Sequence, residues 1–270
     1  MQDLGSGDTS ERPIRLGGAL VTMVEPRKGH EVAYNRWYER DHFYAGCMIG
    51  PWLFAGRRWV ATRDLKDLRF PSDTPVLPAI DAGSYVAVYW ILDDRYDDHV
   101  EWATEQVNWL YANERGFQDR THALTAMYFT ASRWYRDDDP VPLELALDHE
   151  QYTGMVSIVV QRDDGVSQEQ LDGWFGEHLP AFLAGSPVAN VSSWTPAPLL
   201  DSAPAFVPRD PEAARRTMAL FFLEEDPRAD WERFRTWAKE IDGSGLGHVV
   251  LCEPWIPTII GTDTYTDQLW

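Results

Sequence analysis

The chain has 270 residues, of which 44% are hydrophobic and 25% charged, a balance that excludes wholesale disorder. Its 43 acidic residues outweigh 24 basic ones and give a formal charge of −19, which argues against a general nucleic-acid binder and against adhesion to an anionic membrane. At roughly 100–200 residues per domain, this length fits two small domains. The acidic excess is uneven: residues 1–136 hold 19 acidic and 16 basic residues, residues 137–270 hold 24 and 8.

In chain order, the polar stretch 1–14 reads as a disordered tail, not a targeting signal. Residues 18–25 form a short β-branched apolar run, punctuated by Pro26 and Gly29, and predict a strand. Residues 31–42 follow a helical period that puts Tyr34, Trp37, Tyr38, Asp41 and His42 on one face. Strands are expected over 53–62 and 84–92, separated by a charged loop at 63–83. Residues 96–111 carry a helical stripe of Tyr96, Val100, Ala103, Val107, Leu110 and Tyr111, and 125–134 read as a strand. A first domain over 15–136, a linker over 137–150 and a second domain over 151–270 follow from the Asp- and Pro-rich join at 137–142. The second domain predicts strand 154–161, helix 167–178, strands 188–195 and 217–224, helix 228–241 and strand 247–252. The glycine-rich Gly243–Gly247 reads as a helix stop and turn.

The halves echo each other. Gly18 to Val24 resembles Gly154 to Val160, Trp37 to His42 resembles Trp174 to His178, Arg58-Trp59 resembles Ser193-Trp194, and Ser84 to Asp94 resembles Thr217 to Asp226. Counted at Gly18, His42, Arg58 and Ser84, the offsets are 136, 136, 135 and 133, in unchanged order, which points to an internal duplication. Each half then reads βαββαβ, the ferredoxin-like plan. The expected fold is α+β: two tandem ferredoxin-like units packed sheet to sheet as an intrachain α+β barrel. Because each unit covers the other's bare sheet face, a monomer, or a dimer through a non-barrel surface, is expected.

The order and the segment Trp37-Tyr38-Glu39-Arg40-Asp41-His42, followed by Gly50-Pro51 and an Arg-Trp strand, resemble EthD-like domains of the dimeric α+β-barrel superfamily. The second half keeps Trp174, Glu177, His178 and Pro180 with one residue fewer between Trp and His. The resemblance implies a small-molecule enzyme. The superfamily hosts cofactor-free monooxygenases, polyketide cyclases, lactone isomerases, dehydratases and haem enzymes, so fold alone does not name a reaction.

An imidazole near neutral pH moves protons in either direction, so His42 is the expected proton shuttle, with Asp41 tuning or orienting it. The structural alternative is a core histidine shaping a helix end. Tyr38 and Arg58 are expected to stabilise a developing oxyanion, an arginine being suited to anions by its planar fork. Arg58 faces away from its neighbours Arg57 and Trp59 on an extended strand. Tyr34, Trp37, Trp59, Tyr85, Tyr89 and His178 are the expected substrate-binding residues, Tyr85 and Tyr89 sharing one strand face. His178 reads mainly as a structural relic of the duplication. The remaining histidines, His30, His99, His122, His149 and His248, lack metal-binding spacing, so no metal site is expected. No cofactor is expected either, since no nucleotide-binding or haem axial motif stands out. Cys47 and Cys252 form no CxxC pair, and no apolar run approaches the ~20 residues of a membrane span, so a cytoplasmic protein is expected.

The function expected from these readings is His-based acid/base chemistry on a hydrophobic, aromatic or polyketide-like substrate, as a cofactor-independent lyase, isomerase, cyclase or dehydratase. A cofactor-free monooxygenase and a non-catalytic ligand-binding protein are the alternatives.

Overall fold

The computed structural model describes residues 13–198 and 212–270, so the predicted tail falls outside it up to residue 12. The first unit contains β1 (Leu16–Pro26), α1 (Glu31–Trp37), β2 (Leu53–Val60), α2 (Arg63–Lys66), β3 (Tyr85–Leu92), α3 (Tyr96–Ala112) and β4 (Arg120–Tyr135). The second contains β5 (Gly154–Arg162), α4 (Gln168–Leu183), β6 (Val188–Pro196), β7 (Arg216–Leu223), α5 (Trp231–Asp242) and β8 (Gly247–Pro257). The eight strands close into a barrel in the order β1-β3-β2-β8-β5-β7-β6-β4, with antiparallel pairing throughout. Each unit supplies a ferredoxin-like 4-1-3-2 sheet, and the expected intrachain barrel is what forms. No helix among the described residues is long and apolar enough to cross a membrane.

Strand alternation sorts the side chains into two layers. Trp59, Trp90, Trp194, Trp255 and Phe222 fill the barrel lumen and are fully buried. Trp90 and Trp194 stack with centroids 5.0 Å apart. Burying each such side chain contributes about 1.5–3 kcal/mol, so the lumen is a core, not a channel. The two seams between the units are unequal. β4 pairs with β6 from Tyr128 to Tyr135, whereas β2 meets β8 only at Trp59–Pro257 and Val60–Ile256.

Several boundaries differ from expectation for identifiable reasons. The first helix does not end at His42: two π-helical turns, Tyr38–His42 and Tyr44–Met48, carry it on. Such turns recur at functional sites. α4 likewise passes His178 and runs through Pro180 to Leu183, starting from a capping box made by Ser167 and Gln170. β4 begins five residues earlier than expected because, after a shift in register between Met23 and Val24, its first residues pair with the end of β1. β8 extends to Pro257. The expected linker is more than a connection. Leu143, Ala146 and Leu147 are buried, and the Leu143 carbonyl accepts the indole N–H of Trp90 at 3.1 Å.

The helical layers of the two units pack differently. In the second unit Leu171, Phe175, Leu179 and Phe182 of α4 mesh with Phe234, Trp237 and Ile241 of α5 over β5 and β7, each at most 7% exposed. In the first unit α3 touches β4 at its two ends. Tyr96 packs on Phe129 with centroids 4.6 Å apart, and the Tyr111 hydroxyl accepts from Arg120 at 2.6 Å. Between these pins Ala103 and Val107 stay partly exposed, as do Leu20, Thr22, Thr125 and Met127 on the strands below. Side chains on central strands reach solvent only where the covering helix stands off, so among the described residues the first unit has a cleft where the second has a packed core.

Candidate functional site

The cleft has a floor made by β1 and β4. Register pairs Leu20 with Met127, Thr22 with Thr125 and Val24 with His122, so these side chains share the helix-facing side. Most of the floor is apolar. One polar line crosses it: Thr22 Oγ1 lies 3.1 Å from Thr125 Oγ1, which lies 2.9 Å from Nδ1 of His122. Arg120, two positions before His122, extends along the same face. Its guanidinium lies 4.5 Å from the ring centroid of Trp37.

His42 closes this side from the π-helical segment. Its ring stacks on Trp37 with centroids 4.5 Å apart and 17° between planes. It meets Tyr38 edge-on at 5.4 Å. Among the described residues neither ring nitrogen of His42 makes a hydrogen bond. Burial, then the positive charge of Arg120 and the neighbouring His122, push its pKa down to about 3. Burial and Arg120 push His122 to about 3 as well. Both imidazoles are therefore uncharged at neutral pH, which corrects the expectation of a histidine titrating there.

Asp41 does not orient His42. Its carboxylate is held by the Arg115 guanidinium on the outer side of the helix. Arg58 is also elsewhere than expected. It is 5% exposed, bonds Asn35 Oδ1 at 3.0 Å and Glu39 Oε1 at 3.2 Å, and lies over Tyr38 and Tyr85 at 4.5 and 5.0 Å. A guanidinium already neutralised and sealed among tyrosines is structural, not a cation awaiting an anion. Tyr38 and Tyr89 join hydroxyl to hydroxyl at 2.8 Å, both buried, and burial raises the pKa of each. Tyr34 packs between Tyr38, Tyr85 and Trp37 and is buried. This cluster backs the site and supports Trp37 and His42 without lining the cleft floor. Trp59 points to the other side of its strand, into the lumen against Phe222. His178 stacks on Trp174 at 4.1 Å and uses Nδ1 to bond the Trp174 carbonyl at 2.8 Å. It sits on the packed helical layer of the second unit, apart from the cleft.

Of the expected site residues, the structure brings His42, Trp37 and Tyr38 together beside the cleft. It adds Thr22, Arg120, His122 and Thr125, which sequence reasoning misses. The alternation of Arg120, His122 and Ala123 around a bulge gives no clean strand period, and the stretch reads as part of a loop.

No protein-family model matches the sequence, and no curated protein matches it. Solved structures do share its shape. A structure of an anthrone oxidase-like protein matches at 7% identity with a TM-score of 0.54, covering 93% of this chain and 98% of its own. A DypB variant from Rhodococcus jostii in complex with haem matches at 10% identity with a TM-score of 0.52, covering 95% of both chains. A variant chlorite dismutase from Candidatus Nitrospira defluvii matches at 9% identity with a TM-score of 0.50, covering 94% of both. They share the fold of this chain, an α+β barrel. These likenesses correct one expectation: the three proteins bear redox names, an oxidase-like protein, a haem-bound DypB and a dismutase, and none of the three is a lyase, isomerase, cyclase or dehydratase by name.

Haem is therefore the group to test against the residues present. It needs a histidine or similar donor with open space across its axis, and a wide slot for the ring. In the second unit the space between helices and sheet is filled by Phe175, Phe182, Phe221, Phe234 and Trp237. In the first, the edge of His42 that holds Nδ1 and Cε1 lies against Gly46, so close that a Cβ there would stand 2.9 and 2.8 Å away. Nε2 of His122 and both ring nitrogens of His99 are sealed from solvent. The residues do not fit haem.

Proposed function

We propose that the protein is an oxygenase for a flat aromatic compound with an activated C–H bond, bound in the cleft beneath α3. The observation that carries this reading is the cleft itself: an apolar floor crossed by one polar line, beside an uncharged histidine with no hydrogen-bond partner among the described residues, in one unit only. An apolar slot with a few convergent polar groups suits such a ligand. The highest TM-score quoted above belongs to the anthrone oxidase-like protein, which agrees with this class of substrate.

A methylene between two aromatic rings loses a proton to His42, leaving a carbanion delocalised as an enolate. Burial, then the charge of Arg120, depresses the pKa of His42, and a substrate anion forming beside it acts against both by favouring the imidazolium. One hydroxyl of the Thr22–Thr125 pair donates to the enolate oxygen, the other hydroxyl hydrogen being spent within the pair, with His122 holding Thr125 in place. The carbanion passes its electrons to dioxygen, the two combine as a hydroperoxide, and loss of water leaves the ketone. The step balances: a methylene and a molecule of dioxygen become a ketone carbonyl and a molecule of water. The carbon is oxidised, dioxygen is reduced, and the proton taken by His42 leaves with the water.

The EthD-like reading of residues 37–42 belongs to this proposal, as do a first domain over 15–136, a second over 151–270, action as a monomer or a non-barrel dimer, and a cytoplasmic setting. The test is oxygen uptake in the presence of anthrone, measured with an electrode against the rate of uncatalysed autoxidation. Accelerated uptake that His42→Ala abolishes supports the reading. Uptake at the uncatalysed rate across anthrone and other doubly benzylic ketones overturns it.

A further inference from the structure

The protein carries almost two acidic residues for each basic one, and many of its arginines are paired with carboxylates: Arg36 with Asp263, Arg58 with Glu39, Arg69 with Glu253, Arg115 with Asp41, Arg136 with Glu224. Arg57 and Arg162 are instead held by backbone carbonyls. Among the described residues Arg120 has neither kind of partner. Its contacts are the Tyr111 hydroxyl and the face of Trp37, and among the described residues no carboxylate pairs with it. The nearest acidic neighbour in sequence, Asp119, is engaged by Arg27 at 3.2 Å and by His30 at 3.3 Å.

Arg120 is also held in place. The Tyr111 hydroxyl fixes Nη2 at one end of the cleft, and Trp37 supports the guanidinium plane. Its positive charge is felt by the groups around it, adding to the burial that lowers the pKa of His42 and His122 and opposing the burial that raises that of Cys47. A preorganised cation without a counter-charge, at the end of an apolar slot, is suited to the anionic group of a ligand. In a chain of charge −19 the general field repels anions, so a local preference for one has to come from a built site.

We infer that Arg120, oriented by Tyr111 and Trp37, is the seat for a carboxylate or phenolate on the aromatic ligand, so that aromatic acids bind in preference to neutral compounds of the same shape. This deepens the oxygenase reading and rests on the same cleft. The anion would place the ring system along the floor with its activated carbon toward His42. Arg120 is then a binding and positioning residue for that ligand.

The test is binding, not turnover. The full chain is titrated calorimetrically with naphthalene-2-carboxylate and with the matching carboxamide, which has the same shape without the charge. The carboxylate is expected to bind at least about tenfold more tightly, with the advantage shrinking in high salt. Arg120→Gln is expected to remove that advantage while the carboxamide still binds, which also certifies that the variant is folded. If Arg120→Gln binds neither compound, Arg120→Lys decides. Retention of the carboxylate preference by the lysine supports the seat, and loss of the preference by a lysine variant that still binds carboxamide, or of binding altogether, counts against it. Equal binding of both compounds by the natural protein, or no binding of either at millimolar concentration, overturns it. An anion-selective protein that consumes no oxygen sinks only the oxygenase reading, and an active oxygenase without anion preference sinks only this one.

Discussion

Gly46 and His42 are in such close register along the π-helical segment that a Cβ on Gly46 would lie 2.8 Å from Cε1 of the imidazole. The glycine is there to let the ring in, not for an unusual backbone angle. Gly46→Ala should therefore displace His42 while the added methyl favours helix formation. The expected outcome is a loss of oxygen uptake of about tenfold or more with a melting temperature within a few degrees of the natural protein. Unchanged activity would detach His42 from the chemistry.

His42→Ala and His178→Ala make a contrasting pair. A positioned acid/base group contributes typically ~10²–10⁴-fold to rate, so His42→Ala should cost about that much. His178 is spent on the Trp174 carbonyl in the packed layer, so its variant should alter activity less than about threefold. Steady-state oxygen uptake on both proteins, with circular dichroism to check folding, decides it.

The helical layers predict unequal sensitivity to truncation. Phe234 is fully buried against Phe182 and Phe221, and Phe234→Ala should cost about 3–5 kcal/mol in urea unfolding. Val107 borders the cleft and has less packing to lose, so Val107→Ala should cost about 1 kcal/mol or less. Comparable losses at the two positions would mean that α3 is packed down on its sheet after all.

His99 is fully buried on α3 with no partner on either ring nitrogen among the described residues, and burial pushes its pKa to about 4. The unfolded chain binds a proton at about pH 6.5, before the folded one does. Stability contributed by the neutral ring is thus present above that value and falls as pH drops toward 4, at up to about 1.4 kcal/mol per pH unit. His99→Leu should flatten this part of the acid-unfolding profile. An identical pH dependence in the variant would show that another group governs it.

Arg69 and Glu253 form a buried pair, Nε to Oε1 at 3.8 Å, at most 1% exposed. The Arg69 guanidinium donates to the carbonyls of Ile80, Ala82 and Gly83, and Glu253 accepts from Ser157 at 3.1 Å. Glu253→Leu would leave the arginine charge uncompensated and should destabilise by about 3–5 kcal/mol. A neutral result in chemical denaturation would mean that water already reaches the pair.

Duplication makes the barrel legible from sequence, because four short likenesses at one offset carry more information than any single strand. His42 and Trp37 are legible for a related reason: they lie on a regular helical period. What the period hides is its own interruption, since a π turn shifts the face on which Asp41 emerges and hands it to Arg115. Arg58 looks like a cation for substrate because Glu39, which neutralises it, and Asn35, which accepts from it, are 19 and 23 positions away. His122 and Arg120 are lost to a change of register that only the pairing with β1 reveals. The standing-off of α3 has no sequence signature at all, since Ala103 and Val107 would serve equally well in a closed core.

The segment between the units carries Leu143, whose carbonyl is the acceptor for Trp90 in the first unit's sheet. The join has thereby become a key lodged in the lock of the preceding half. A nick at Asp138 would leave two pieces still interlocked, and recombination with a relative at this point would have to trade plug and socket together. A fusion that began as a convenience of linkage has made each half a mould for the other.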